Sequence, residues 1–355
     1  MYRPRQTHAN SPRITNRGGA QNVSLGRLVR AWNGSVFGVL LMTACANSFA
    51  AGAPAPADTA AVSNGWESKW FDYDRPERLI VEESTPTGAQ VDYTRRPPQR
   101  KVSADEPLTS SVKPARPLAV GPLDIVHLRF RDAGGDVVPA LLCTPRGKKG
   151  PFPVVIGVHG LTSNKAQVCA QIAPALAERG YAVLSADMPR HGERPGEPRS
   201  VLDRSNPLEA FALFHQAVVN VRQLIDLAES RPDLDTRGGV VLAGYSMGSW
   251  VNSVAGPADP RVKGMVLMVG GATELPPAAL RIPAIAATDP RLAIAHFAGR
   301  PLLMLGAKQD YIVTPDMVKR LYAAARDPKE LRWYDAGHLL SEEAYENAAE
   351  WVANL

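Results

Sequence analysis

The chain has 355 residues, 45% of them hydrophobic, which is enough for one large core with a substantial extension, or for two domains at most. Its formal charge of +5 invites a polyanionic partner, but residues 1–50 hold six arginines (Arg3, Arg5, Arg13, Arg17, Arg27, Arg30) and no Lys, Asp or Glu. The remaining 34 basic and 35 acidic residues nearly cancel, so the composition gives no reason to expect a nucleic-acid partner for the folded part.

Residues 1–50 read as an export signal. Arg27 and Arg30 precede an apolar run, Val36–Ala44, too short to span a bilayer, and small residues at Ser48 and Ala50 allow cleavage after Ala50. Met42-Thr43-Ala44-Cys45 is similar to a bacterial lipobox with Met where Leu is usual, so Cys45 is a candidate lipid anchor beside its plainer reading as a cysteine in an apolar run. A later start, at Val23 for instance, would give this leader a more ordinary length. The expected location is periplasmic or secreted, with no membrane span. Cleavage leaves Cys143 and Cys169, whose number and spacing make neither a disulfide framework nor a zinc site, and a bridge between them is not expected.

Residues 51–117 read as a linker and a wrapping extension. The stretch 51–64 is rich in Ala, Pro, Gly and Ser and has no core of its own, whereas Trp66, Trp70, Phe71, Tyr73, Leu79 and Ile80 should pack on the main domain. From about 84 to 117 the polar, Pro-rich chain should be irregular. A β-hairpin at a sheet edge follows, Ile125–Phe130 and Val137–Cys143 around a turn at Gly134-Gly135-Asp136.

From 152 onward short apolar runs alternate with helical stretches. Val154–Val158, Tyr181–Ala186, Gly239–Ala243, Val262–Val269, Pro301–Leu305 and Leu331–Tyr334 read as buried parallel strands. Helices should open at Asn206-Pro207, Thr314-Pro315 and Ser341. Residues 118–355 are therefore expected to form one α/β domain, a mostly parallel doubly wound sheet with an N-terminal antiparallel hairpin, and residues 271–300 are its only evident room for a short, apolar lid.

Ligands of such sheets bind beyond the carboxyl ends of the strands, so the chemistry should lie in the loops there. Gly244-Tyr245-Ser246-Met247-Gly248 follows a strand and opens a helix, the context of a nucleophile elbow in which Gly244 and Gly248 admit close chains around Ser246. A serine needs a base, and the base an orienting acid. Two later strand ends supply them, Asp310 after 301–305 and His338 after 331–334. Asp335, a turn residue, Asp316, in a first helical turn, and His296, in an apolar segment, are weaker rivals. An oxyanion needs two N–H donors, for which Met247 and Leu161 are the candidates. His159 and Gly160 read as loop support, and the charged loop Asp187–Arg194 as a turn that orients its neighbours by local ion pairs.

Together the His159-Gly160 loop, the Asp187…His191-Gly192 loop, the Gly244–Gly248 elbow, Asp310 and His338 resemble the α/β-hydrolase superfamily, closest to its dienelactone-hydrolase-like and acetyl-esterase-like bacterial members, over roughly residues 120–355. Dienelactone hydrolases proper carry a Cys nucleophile where this chain has Ser246, which argues against that substrate, and the elbow continues Gly248-Ser249 rather than Gly-Gly. The resemblance implies a small-molecule ester substrate and a carboxylic ester hydrolase working through an acyl-enzyme, with no metal or organic cofactor. A short lid further implies short-to-medium acyl chains. The competing readings are a serine peptidase of the prolyl-oligopeptidase type, whose propeller residues 51–117 are too few to build, and a non-catalytic binding protein on the same scaffold.

Overall fold

The computed structural model describes residues 66–355, apart from 78, 100–101, 104–105, 110–114 and 204. The leader, Cys45 and the 51–64 linker lie outside the described residues. Among those described, no helix is long and apolar enough to cross a membrane.

Eleven strands form one sheet in the order β1-β3-β4-β6-β5-β8-β9-β10-β11, with β2 pairing to β3 and β7 to β5 off this path. The strands are β1 (Glu82–Ser84), β2 (Leu118–Val120), β3 (Leu123–Arg131), β4 (Val137–Pro145), β5 (Phe152–Val158), β6 (Ala182–Ala186), β7 (Leu234–Asp235), β8 (Val240–Tyr245), β9 (Val262–Met268), β10 (Leu302–Ala307) and β11 (Lys329–Tyr334). From β6 through β5 and on to β11 the neighbours are parallel; β1, β3 and β4 are antiparallel to theirs. The mostly parallel sheet and all six of its expected parallel strands are present, but β11 closes the sheet as an edge strand and is half-buried along its whole length rather than buried.

Alternation along the strands sorts the core into two layers, because successive side chains face opposite sides of a sheet. Ile156, Leu184, Leu242 and Met304 join one layer under α3 (Pro207–Glu229), α4 (Met247–Ala258) and α8 (Pro315–Ala324). Val155, Val183, Val241 and Leu303 join the other, under α1 (Ala166–Gln171), α2 (Ala173–Glu178) and α9 (Glu342–Ala353). Asn206 and Thr314 cap α3 and α8 through their side chains, whereas Ser341 stands at the N-cap of α9 without a side-chain cap bond.

Four further expectations change. The hairpin is not the sheet edge: β1, from the extension, and β2, from the first residues of the 118–355 domain, pair antiparallel with β3. An uncovered β3 would present unpaired backbone groups, and two three-residue strands satisfy them while being too short to show a pattern in sequence. The extension also packs more widely than its aromatic run implied, with Phe71 fully buried in the first core layer and Val91 and Tyr93 against the second. Cys143 and Cys169 are bonded, tying β4 to α1 with their Cα atoms 6.4 Å apart; spacing along the chain carried no hint of it because the two meet only when α1 packs on the sheet.

The fourth change concerns residues 271–300, which are only partly a cover. They fold into α5 (Pro277–Leu280), α6 (Pro283–Ala286), α7 (Pro290–Ile294) and a 3-10 turn at Ala295–Phe297. Leu292, Ala293, Ile294 and Phe297 are buried core, so only the stretch around α5 and α6, with Ile282 half exposed, is free to act as one.

Candidate active site

Ser246 is positioned by the turn from β8 into α4, with φ 53° and ψ −111°, a conformation a side-chain-bearing residue adopts only when its surroundings force it. The forcing is visible in the flanking glycines. A Cβ on Gly248 would lie 2.1 Å from the Val158 carbonyl oxygen, and one on Gly244 would lie 2.5 Å from that of Gly248. The Ser246 N–H donates to Met268 O at 2.9 Å, and the Ser249 hydroxyl lies 2.8 Å from Gly244 O and 2.9 Å from Met268 O. Ser249 thus ties the elbow to β9, and Gly270, where a Cβ would meet that of Ser249 at 2.4 Å, makes room for it.

The structure brings Ser246, His338 and Asp310 together. His338 Nε2 is 2.9 Å from Ser246 Oγ, and its Nδ1 is 2.7 Å from Asp310 Oδ2. The other carboxylate oxygen accepts the N–H groups of Ile312 (2.8 Å) and Val313 (3.0 Å), which fixes the acid's plane and leaves Oδ2 for the imidazole. With Nδ1–H donating to the carboxylate, Nε2 is left to accept the serine proton. The Tyr245 hydroxyl donates to the His338 carbonyl at 2.5 Å and clasps the base's own loop; burial pushes the phenol up to about 12, so it stays a neutral donor. The rivals lie elsewhere: Asp335 pairs with Lys308 at 2.9 Å, Asp316 is exposed at the start of α8, and His296 stacks on Trp66 with ring centroids 5.0 Å apart.

The β5–α1 loop passes directly over the elbow: a Cβ on Gly160 would be 3.6 Å from that of Ser246. Met247 opens α4, so its N–H has no intrahelical acceptor, and the Leu161 N–H donates to none of the described residues. His159 is fully buried and acts as a clamp, its Nδ1–H donating to Gly160 O (2.8 Å) while Nε2 accepts the Met188 N–H (3.1 Å). Burial holds this imidazole below its ordinary range, and hence neutral, as both bonds require.

Next to it lies a network that no local motif announces. Lys165 is completely buried; its Nζ reaches Asp187 Oδ2 (2.8 Å) and Glu193 Oε1 (2.6 Å), and its N–H donates to Asp187 Oδ1 (2.9 Å). Burial alone would lower its basicity, but the two carboxylates win and hold it above the usual lysine range. Glu193 is likewise held down at about 2: burial opposes its charge, while the hydrogen bond from His127 and the charge of Lys165 outweigh that. His127 from β3 (2.9 Å) and Gln90 from the extension (3.1 Å) complete its partners. The charged loop after β6 does orient its neighbours through ion pairs, and the charges are more deeply buried than their exposed-looking sequence implies.

A small apolar recess of about 10 Å³, room for one water-sized group, lies beside the elbow between Met247 and Trp250 of α4, Met188, Phe214 and, from the 3-10 turn Pro198–Leu202, Val201 and Leu202. This second cover has no signature in the sequence because a five-residue turn has no periodicity. A much larger cavity, about 970 Å³, lies against the hairpin and the extension; neither its lining nor that of the recess includes Ser246, Asp310 or His338. Among the described residues no cluster of three or more His, Cys, Asp or Glu is placed to hold a metal ion.

A strand-elbow-helix serine in a mostly parallel sheet covered on both faces defines an α/β-hydrolase fold. Known structures share it. An acetyl xylan esterase from Paenibacillus sp. R4 is 17% identical, with a TM-score of 0.56 over 83% of this chain and 91% of that one. Acetyl xylan esterase 1 from Thermoanaerobacterium sp. JW/SL YS485 is 17% identical, with a TM-score of 0.56 over 85% and 94%. A cold-adapted esterase from an Arctic intertidal metagenomic library is 18% identical, with a TM-score of 0.55 over 67% and 96%. At these identities the likeness is one of fold. No curated protein matches the sequence. Residues 138–352, more than half of the chain, match the dienelactone hydrolase family, and the chain belongs to that family.

Proposed function

We propose that the chain hydrolyses carboxylic esters through an acyl-enzyme on Ser246. The observation that carries this is the continuous hydrogen-bonded line from Ser246 Oγ through His338 to Asp310 at the carboxyl edge of the sheet. Ser246 Oγ attacks the acyl carbon as His338 Nε2 takes its proton; Asp310 stabilises the imidazolium, and the N–H groups of Leu161 and Met247 receive the oxyanion. The proton then passes to the departing alcohol, and a water activated by the same nitrogen releases the acid.

The acyl group is expected to be short. The recess beside Met247 and Trp250 has room for about a methyl group, and two of the structures that share the fold are those of acetyl xylan esterases, so acetyl esters are the first probes. Wild-type protein should label with a fluorophosphonate and cleave p-nitrophenyl acetate faster than the octanoate, and Ser246→Ala should lose both labelling and about 10⁵-fold or more in kcat. Faster cleavage of peptide p-nitroanilides than of esters would point to a peptidase instead, and absence of labelling to a binding protein. We also infer export of the chain, with cleavage after Ala50 as the first reading and lipidation at Cys45 as its alternative; the leader and a disulfide that belongs in an oxidising compartment support export. Fractionation of cells expressing wild type and Cys45→Ala tests both.

A further inference from the structure

The oxyanion loop is anchored at both ends on one neighbour. At its start His159 accepts the Met188 N–H, and at its end the N–H and Nζ of Lys165 are both held by Asp187, so Leu161 is suspended between two fixings on the loop that follows β6. That loop has no regular structure of its own, and it bends through left-handed backbone at Arg190 (φ 65°), Gly192 (54°) and Gly196 (111°). The bends turn the carbonyls of Arg190, Gly192, Arg194 and Gly196 toward a common point. Four converging carbonyl dipoles repel one another unless a cation sits among them.

Arg96 supplies it. Its Nη2 lies 2.7, 3.1 and 2.7 Å from the oxygens of Arg190, Arg194 and Gly196, and its Nε donates to Gly192 O at 3.2 Å. The residues beside Arg96 hold the oxyanion loop directly: buried Asn164 donates through Nδ2 to Asp92 O (3.4 Å) and Arg95 O (3.3 Å), while its Oδ1 accepts the Ala166 N–H (2.9 Å). Gln90 completes Glu193, the second carboxylate on Lys165. All of these contacts come from residues 90–96, outside the 138–352 span of the family match.

We propose that residues 90–96 are a positioning strap for the oxyanion loop, with Arg96 as its anchor. The strap touches no reacting atom. It sets where the Leu161 N–H points, so its loss should weaken transition-state binding and leave substrate binding nearly intact. This rests on the ester-hydrolase reading and on Leu161 as a donor.

Arg96→Ala, Arg96→Lys and Asn164→Ala in the otherwise intact chain test it, assayed on p-nitrophenyl acetate at a temperature where circular dichroism shows each variant folded. In Arg96→Ala, kcat should fall roughly tenfold, a fraction of the loss when a whole oxyanion donor is removed, with KM within about twofold of wild type. The inhibition constant of a trifluoromethyl ketone, which must form an oxyanion to bind, should rise by the same factor as kcat/KM falls. Hydrogen exchange at residues 160–165 should quicken while the amides of α3 keep their protection. Arg96→Lys should recover part of the loss by returning a charge to the carbonyls, and Asn164→Ala carries the test alone if Arg96→Ala does not fold. Wild-type kcat and inhibition constants in the variants, or a raised KM at constant kcat, would overturn the strap while leaving the ester-hydrolase reading standing. A wild-type chain that neither labels with a fluorophosphonate nor cleaves esters would remove both.

Discussion

The two halves of the proposed site are held in different ways. On the nucleophile side, Ser246, Asp310 and His338 each sit just beyond the end of a parallel strand, and their supports are neutral groups: the N–H groups of Ile312 and Val313 for Asp310, glycines within two residues of Ser246, and the Tyr245 hydroxyl for the His338 loop. On the oxyanion side the loop carrying Leu161 hangs on buried charges, Lys165 against Asp187 and Glu193, which are steadied in turn by His127 and by Gln90 and Arg96 of the extension. Neutral supports carry no buried charge that needs a partner, and most of these lie within the local turn. A buried charge is stable only while every partner is present, so the oxyanion half should be the more fragile in stability and the nucleophile half the more costly in rate.

The largest expected effect breaks the nucleophile half without touching the fold. Asp310→Asn keeps the shape but offers His338 an amide, which favours the wrong imidazole tautomer; kcat should drop by about 10⁴ with urea stability within about 1 kcal/mol of wild type. An equal loss of stability would erase the contrast between the halves. Lys165→Met should behave in the opposite way. It strands Asp187 and Glu193 without their shared cation in a dry site, and a loss of about 3–5 kcal/mol in unfolding free energy is expected. A stability close to wild type would show that the pair contributes position only.

The smallest effect, taken per pH unit, is a pH dependence that should belong to the oxyanion half. Burial holds His159 below its ordinary value of 6.5 and pushes His191 down to about 3, so both stay neutral in the fold while the unfolded chain takes up protons on each below about pH 6.5. The unfolded state then binds more protons, and stability falls as pH drops below about 6.5: His191 contributes up to about 1.4 kcal/mol per pH unit down to about pH 3, and His159 acts in the same direction. Urea unfolding at pH 7.5, 6 and 5 measures the slope, and His191→Asn should make it shallower. A flat profile in wild type over that range would contradict neutral burial of the two rings.

The nucleophile half is legible in the sequence because its signals are local. Glycines around Ser246, and Asp310 and His338 in the loops just beyond strand ends, are constraints that a turn imposes on the residues inside it. The parallel strands and the capped starts of α3 and α8 are legible for the same reason, since periodicity and capping act within one element. Only the tertiary structure decided what depends on meetings between distant segments. Cys143 meets Cys169 because α1 packs on the sheet; Gln90 meets Glu193 across 103 residues; β1 and β2 exist because β3 has an edge to cover; Val201 and Leu202 become a pocket wall because an unpatterned turn folds over α4. A side chain's charge and size are written in its own position, but its partner is chosen by packing, and packing leaves no mark at either position alone.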